Sequence, residues 1–505
     1  MNVVSKNDGV QKIGLFLLFI QIFSNVGSGP SGIEGIVGAG GIALATIGIV
    51  VFPLFWGYVQ ALVAAEMASQ YPQINGGISA WALHKFGKVA AFNCAVWEVI
   101  LNCSTAAFVS ETSVAYISTL YPEIDGYWFV RGVTIAVIAL SMLINSVNIK
   151  FTSKIFVAFS ANALLTFIVL IVFSFVRGLD VKRFDSPRKH IKSVNWSELV
   201  NLLVYNSAGY DSASSIIKEV YNPMRNMPIA MTLVGFFVCF LYLATLIIPY
   251  LATKGDYTEW SPGYFAVVAH ELGGVKLQKA IVAASLLTNL QIYVASLQTA
   301  MYTTASMAEQ GVFPFFLAAT TQEKINEKTR EKEVKKNPPW SAMALCGIIS
   351  VVFGFATIQL NLTVEGVVYS AIMLLEVAVF LTPENKPILV TKNIWVRRAI
   401  SAPTICLCVW VLIVQERWSL FGSLSVLLLF VALSLRQLTP AETAAAAAAA
   451  DFAEQVSQAP SNEERLALLN EETSIEQSEK VSNTAAVRRR NNAFGSKSYL
   501  KRIDL

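Results

Sequence analysis

The apolar positions of this chain gather into twelve blocks, near residues 12–40, 42–66, 88–120, 128–147, 154–176, 196–220, 228–251, 278–307, 340–358, 364–381, 398–414 and 419–435. Each approaches the roughly 20 residues that a membrane crossing needs. Two of the blocks are interrupted. In the first, residues 25–34 read NVGSGPSGIE and set glycines, a proline and a carboxylate inside an otherwise apolar run. In the sixth, residues 203–220 read LVYNSAGYDSASSIIKEV, where Asn206, Ser207, Gly209, Asp211 and Ser212 break the pattern. A helix broken at membrane depth releases backbone N–H and C=O groups that hydrocarbon does not satisfy, so such breaks mark places where a solute binds. The second break falls five helices after the first. That spacing predicts an all-α membrane protein of twelve transmembrane helices, a five-plus-five inverted repeat with discontinuous first and sixth helices and its site at the midplane.

Composition agrees with this reading. The 505 residues are 54% hydrophobic and only 14% charged, with mean hydropathy +0.54, too apolar for a soluble enzyme of this length. The first apolar run carries Gln21, Ser24 and Asn25 and continues into the glycine break, so it is read as a retained helix and not as a cleaved leader. The expected organisation is a polar N-terminal tail over 1–11, a transport domain over 12–436 and a disordered tail over 437–505, where an alanine tract gives way to Glu, Ser, Asn and Gln.

Lys and Arg concentrate in alternate loops, at Lys85 and Lys88, Lys150 and Lys154, Lys218 and Arg225, residues 324–336 and residues 386–398. The positive-inside rule then puts both termini in the cytosol, with the basic loop 177–192 as the one exception. Sequons at Asn195 and Asn361 fall on the predicted outer side and are glycosylation candidates. The charged loop 322–336 is expected to form a surface helix or loop. Glu464, Leu468 and Leu469 fit an acidic dileucine sorting pattern, which adds an endosomal or lysosome-like membrane as the alternative to a plasma-membrane location. The net charge of +4 reflects the loop bias and implies no nucleic-acid partner. Six cysteines give no disulfide or metal framework, no histidine falls within a predicted span, and there is no phosphate-binding loop or nucleophile elbow. No catalytic role, cofactor or metal is expected.

The candidate substrate-binding residues are those of the two breaks: Gly27, Ser28, Gly29, Glu34, Asn206, Gly209, Tyr210 and Asp211. N–H groups freed at the glycines, at the start of a half-helix, suit a carboxylate, while carbonyls freed at 206–209 suit an ammonium group. Glu34 and Asp211 are acids at membrane depth, costly unless they face a cavity, a partner or a proton. The alternative readings place Glu34 hydrated at the outer mouth and Asp211 as a helix cap. Glu34, Asp211, Glu66 and Glu219 are the proton-coupling or gating candidates, the last two at helix ends. Tyr205 and Tyr210 are candidates for an aromatic face toward an amine.

Four segments, GSGPSGIEGIVGAGG (27–41), VFPLFWGYVQALVAAEM (51–67), YNSAGYDSASSIIKEV (205–220) and SMAEQGVFPFF (306–316), resemble the amino acid-polyamine-organocation transporters, most closely their eukaryotic polyamine and L-type amino acid branch. The resemblance implies alternating access around a solute held between the first and sixth helices, and for polyamine members proton coupling. It departs from the plant-like pattern at Gln60 and Ser296, each standing where an acid is expected. The loop 120–127 lacks the cysteine with which L-type members hold a single-pass glycoprotein, so no disulfide-linked heavy chain is expected. The leading expectation is a secondary transporter, a proton symporter for cationic amines such as polyamines or basic amino acids. The alternatives are a neutral L-type amino acid carrier or exchanger and, in another class, a solute sensor that does not transport.

Overall fold

The computed structural model describes residues 12–415, apart from 73, 125, 185–192, 320, 326–331 and 383–392, together with isolated positions between 420 and 431. The chain divides into two units, Met1–Ser434 and Leu435–Leu505, and the second lies wholly outside the described residues. So do the dileucine candidates Glu464, Leu468 and Leu469 and most of the last apolar block, 419–435.

The first apolar block is broken as the glycines dictate. Helix α1 (Leu15–Val26) stops at Gly27, and helix resumes at Glu34 in α2 (Glu34–Phe52). A corner at Gly41 (φ 78°) divides α2, so that residues 34–40 complete the first block and the rest begins the second. Pro53 has no N–H to give the ladder, and the chain passes through a π-helical turn, Pro53–Gly57, into α3 (Tyr58–Gln70). The sixth block is broken likewise, with α7 (Trp196–Ser207) followed by the loop 208–211 and a 3-10 segment, Ser212–Glu219. The main chain of Ile13 brackets the end of that segment: its N–H donates to the Glu219 carbonyl at 2.7 Å and its own carbonyl accepts from Tyr221 at 2.9 Å.

Helices α4 (Gly77–Ser118) and α9 (Tyr264–Glu309) share one plan. Each opens with a short segment, 77–86 or 264–273, turns at a glycine of positive φ, Gly87 (82°) or Gly274 (68°), and then runs on as a long helix. These two pack most extensively against each other. Buried positions make up 78% of the apolar window of α4 and 72% of that of α9, but 28% in α5 (Tyr127–Asn145), α6 (Ile149–Arg177) and α12 (Ile394–Ile413), so α4 and α9 form the centre and the other three turn apolar faces outward. The remaining helices are α8 (Pro223–Ala252), α10 (Trp340–Gly354) and α11 (Ile358–Leu381). Starts are set by side-chain caps, with Asn148, Asn195, Thr357 and Asn393 accepting from the first turns of α6, α7, α11 and α12. Among the described residues, eight helical stretches are long and apolar enough to span a bilayer, and α1 and α10 are shorter apolar helices.

Two expectations need correction. The charged segment after α9, expected as a surface helix or loop, holds two strands: β1 (Thr321–Ile325) pairs antiparallel with β2 (Lys332–Lys336), Lys324 opposite Glu333. Alternating charge that suits a helix face serves equally well between paired strands. Asn361 is not on a surface loop. It lies in the first turn of α11, 1% exposed, and its amide nitrogen, the atom a glycan would occupy, donates to the Phe353 carbonyl. Asn195 is exposed, at the cap of α7.

The π turn brings Gly57 against the second break, where an added Cβ would stand 2.6 Å from the Tyr210 ring and 2.7 Å from the Ser207 carbonyl oxygen. At Gly235, near the other edge of the same ring, an added Cβ would stand 3.7 Å away, an ordinary van der Waals contact. Gly57→Ala is therefore expected to destabilise the purified protein by about 1–3 kcal/mol, while Gly235→Ala is neutral or mildly stabilising, as read by thermal unfolding in detergent. Equal effects at the two positions would refute the close approach.

Candidate functional site

The two breaks meet face to face. Gly209, at φ 95°, sits so close to the first break that a Cβ there would come within 3.0 Å of the Asn25 carbonyl oxygen, and the same φ excludes most side chains. Between the breaks lies a cavity walled by one stripe from each of three helices. Helix α4 contributes Glu98, Leu101, Asn102 and Thr105. Helix α9 contributes Ile292, Ser296 and Thr299, and α11 contributes Glu365, Tyr369 and Ile372. Each set follows the three-and-four spacing that puts residues on one helix face. The breaks close the remaining side with Asn25, Gly27, Asn206, Gly209, Asp211 and Ser212 among others.

Part of the backbone freed by the second break is already serviced. Gln60 Oε1 on α3 accepts from the N–H groups of Gly209 and Tyr210 at 3.1 and 3.3 Å. The Ser212 hydroxyl donates to the Gly209 carbonyl at 2.6 Å, and the Ser214 hydroxyl donates to that of Asp211. The carbonyl of Gly209 therefore has a partner of its own. The side chains around the cavity add charge. Three carboxylates, Glu98, Asp211 and Glu365, line the cavity at 4%, 7% and 4% exposure, and no Lys, Arg or His is among the described lining residues. Glu98 accepts from the Ser79 hydroxyl, and Glu365 Oε1 accepts from Ser104 Oγ at 3.0 Å while its Oε2 has no hydrogen-bond partner. Asp211 precedes the 3-10 segment without capping it through its side chain.

Of the eight residues singled out in the sequence, Gly27, Asn206, Gly209 and Asp211 line this cavity, and Ser28, Gly29, Glu34 and Tyr210 do not. Ser28, at φ 52°, donates its hydroxyl to the Ser24 carbonyl at 2.7 Å. Gly29 packs near Thr288, and Tyr210 is buried between Gly57 and Gly235. Tyr205 does line the cavity, tilted against Phe108 with ring centroids 4.2 Å apart. Glu34 is fully buried elsewhere: it accepts from Tyr116 Oη at 2.7 Å, the Gly263 N–H at 2.7 Å and the Gly32 N–H at 2.8 Å. Its carboxylate thus ties the first break to α4 and to the start of α9. Glu66 pairs with Arg397 at 3.7 Å and accepts from Gln70, and Glu219 accepts from Asn75 Nδ2 at 3.2 Å. Asn75 also accepts from the Lys218 N–H and, at its carbonyl, from Ser306. Glu98 and Glu365 were not singled out in the sequence, although a lone acid in an apolar span is a signal in itself. Ser296 and Gln60 hold the positions where acids were expected; the first lines the cavity and the second supports the break.

Residues 13–439 match the amino acid permease family. The chain belongs to that family. It therefore stands among membrane transporters and not among enzymes. The permease is 28% identical over 386 residues to polyamine transporter RMV1 of Arabidopsis thaliana, covering 74% of this chain and 73% of the relative. It is 29% identical to polyamine transporter PUT1 of Oryza sativa subsp. japonica over 61% of this chain and 58% of the relative, less than two thirds of that protein's length. Cationic amino acid transporter 5 of Arabidopsis thaliana is 24% identical over 50% of this chain and 46% of its own.

Removing the Glu34 carboxylate from the permease strands a tyrosine hydroxyl and two N–H groups. Glu34→Ala is expected to cost about 2–4 kcal/mol and Tyr116→Phe about 1 kcal/mol, the double variant losing less than the sum because the two share one bond. Unfolding midpoints of the four proteins in detergent test this; strict additivity would contradict a shared latch.

Proposed function

We propose that the protein is a secondary transporter that carries cationic amines, polyamines or basic amino acids, by alternating access with protons as the coupling ion. The observation that carries this reading is the cavity between the breaks, lined by Glu98, Asp211 and Glu365 and by no described cation. A buried carboxylate needs a partner, and an ammonium group is the solute feature that supplies one. A neutral amino acid would need donors for its own carboxylate, and the first break has committed four of its N–H groups: Gly27 and Ser28 to the Phe23 carbonyl, Gly29 to that of Gly27, Gly32 to Glu34. The polyamine relatives support the same choice. The cationic amino acid relative favours basic amino acids as the second reading.

The inverted repeat is supported by the paired breaks and by the matching plans of α4 and α9. In this scheme the Glu34 latch and the Asn75–Glu219 cluster serve as gates at opposite ends of the path, and the cavity acids are the groups that exchange a proton for a cation. Both termini are placed in the cytosol and the protein in the plasma membrane, with an endosomal or lysosome-like membrane as the alternative.

Uptake of labelled putrescine, spermidine, arginine and leucine into vesicles holding the purified protein tests the reading. Saturable uptake of at least one cation is expected, with Asp211→Asn and Glu98→Gln each raising KM tenfold or more, in keeping with about 1.5–3 kcal/mol for a charged hydrogen bond. At zero potential, an acidic exterior should speed uptake. The potential must be clamped, because 100 mV alone contributes about 2.3 kcal/mol per charge. Leucine uptake indifferent to both substitutions would overturn the proposal.

A further inference from the structure

Helix α11 carries one more acid beyond the cavity. Glu365, Tyr369 and Ile372 form the stripe that lines it, and Glu376 follows Ile372 by four residues on the same face. Glu376 is completely buried, and neither of its carboxylate oxygens has a hydrogen-bond partner. Beside it lies the side-chain amide of Gln60, whose Oε1 is given to the second break and whose buried Nε2 is the donor next to this carboxylate. The charges that bear on Glu376 are those of Asp211 and Glu98, both in the cavity wall. Cys94 on α4, Tyr369 on α11 and Cys408 on α12 also face it, and none of them is a cation. Arg397, at the start of α12, is held by Glu66 and the Phe380 carbonyl.

An ammonium group resting on Glu365, whose Oε2 is without a partner, leaves Glu376, further along the same helix, without a counter-ion. We propose that Glu376, with the Gln60 amide beside it, forms a second subsite that receives the far ammonium group of a long linear polyamine, so that the transporter selects its substrates by chain length. This rests on the amine-carrier reading above. The dimensions suit it: Glu365 and Glu376 are eleven residues apart, about 16 Å along a helix at 1.5 Å per residue. A fully extended chain advances about 3.6 Å per three bonds. On that scale spermidine spans roughly 11 Å and spermine roughly 15 Å between terminal nitrogens, and putrescine only about 6 Å. With a charged hydrogen bond of about 2.8 Å at each end, spermidine and spermine bridge Glu365 and Glu376, while putrescine, reaching about 12 Å, does not.

The test uses full-length protein in vesicles. In the wild type, butylamine, putrescine, spermidine and spermine compete with labelled spermidine, and affinity should rise at each step, most from di- to triamine. In Glu376→Gln, KM should increase at least tenfold for spermidine and spermine and less than threefold for putrescine. Glu376→Asp, which keeps the charge, should recover most of the discrimination. An equal change for all amines would reduce Glu376 to packing. An altered response to an imposed pH gradient with no length dependence would make it a proton site. Either result overturns the subsite. Should Glu376→Gln fail to fold, a wild-type series with no gain from di- to triamine overturns it unaided. Uptake of amines without length selection defeats the subsite alone, whereas a wild type that carries no amine defeats the carrier reading and the subsite with it.

Discussion

A peptide group that leaves its helix inside a bilayer has to find another partner, because the surrounding hydrocarbon offers none. Much of the polar inventory of this chain follows from that requirement. At the second break the partner is Gln60 for the amide hydrogens and a run of serine hydroxyls for the carbonyls. At the first break, Glu34 takes the Gly32 N–H along with that of Gly263, from the distant start of α9. Because several of these partners come from other helices, each break is held open by its neighbours. The interruption is thus a product of tertiary packing as much as of glycine.

With these backbone groups partnered, the wall of the cavity adds side-chain charge. Its acids arise from three separate elements, two unbroken helices and one break, so no single segment of sequence displays them together. Glu34 and Asp211 illustrate how differently two acids at membrane depth are used. The first is surrounded by donors and acts as a tie. The second faces the cavity with its charge uncapped. Equal cost of burial therefore does not imply equal purpose.

The breaks themselves were legible because glycine, proline and serine clustered inside an apolar run weaken the helix locally while adding nothing that lipid favours. The partners of Glu34 were not, since Tyr116 lies 82 residues away and Gly263 lies 229 away, and nothing local advertises such contacts. Glu98 and Glu365 stayed hidden for a different reason: they stand in continuous helices, where the unbroken ladder conceals that a face is turned to a cavity. Gln60 stands where an acid was expected, yet that residue belongs to the scaffold of the break, and the cavity draws its charge from α4, α11 and the second break. The loop after α9 was ambiguous in principle, because mixed charge at short spacing fits a helix face and a strand pair alike.

The pairing of Ile13 with the end of the 3-10 segment has a mechanical meaning. Two backbone hydrogen bonds clasp the start of the first broken helix to the finish of the second. The two interrupted elements are thereby geared to one another, and torque on either is transmitted to its counterpart without passing through the solute. A displacement of either element must carry the other with it or break both bonds.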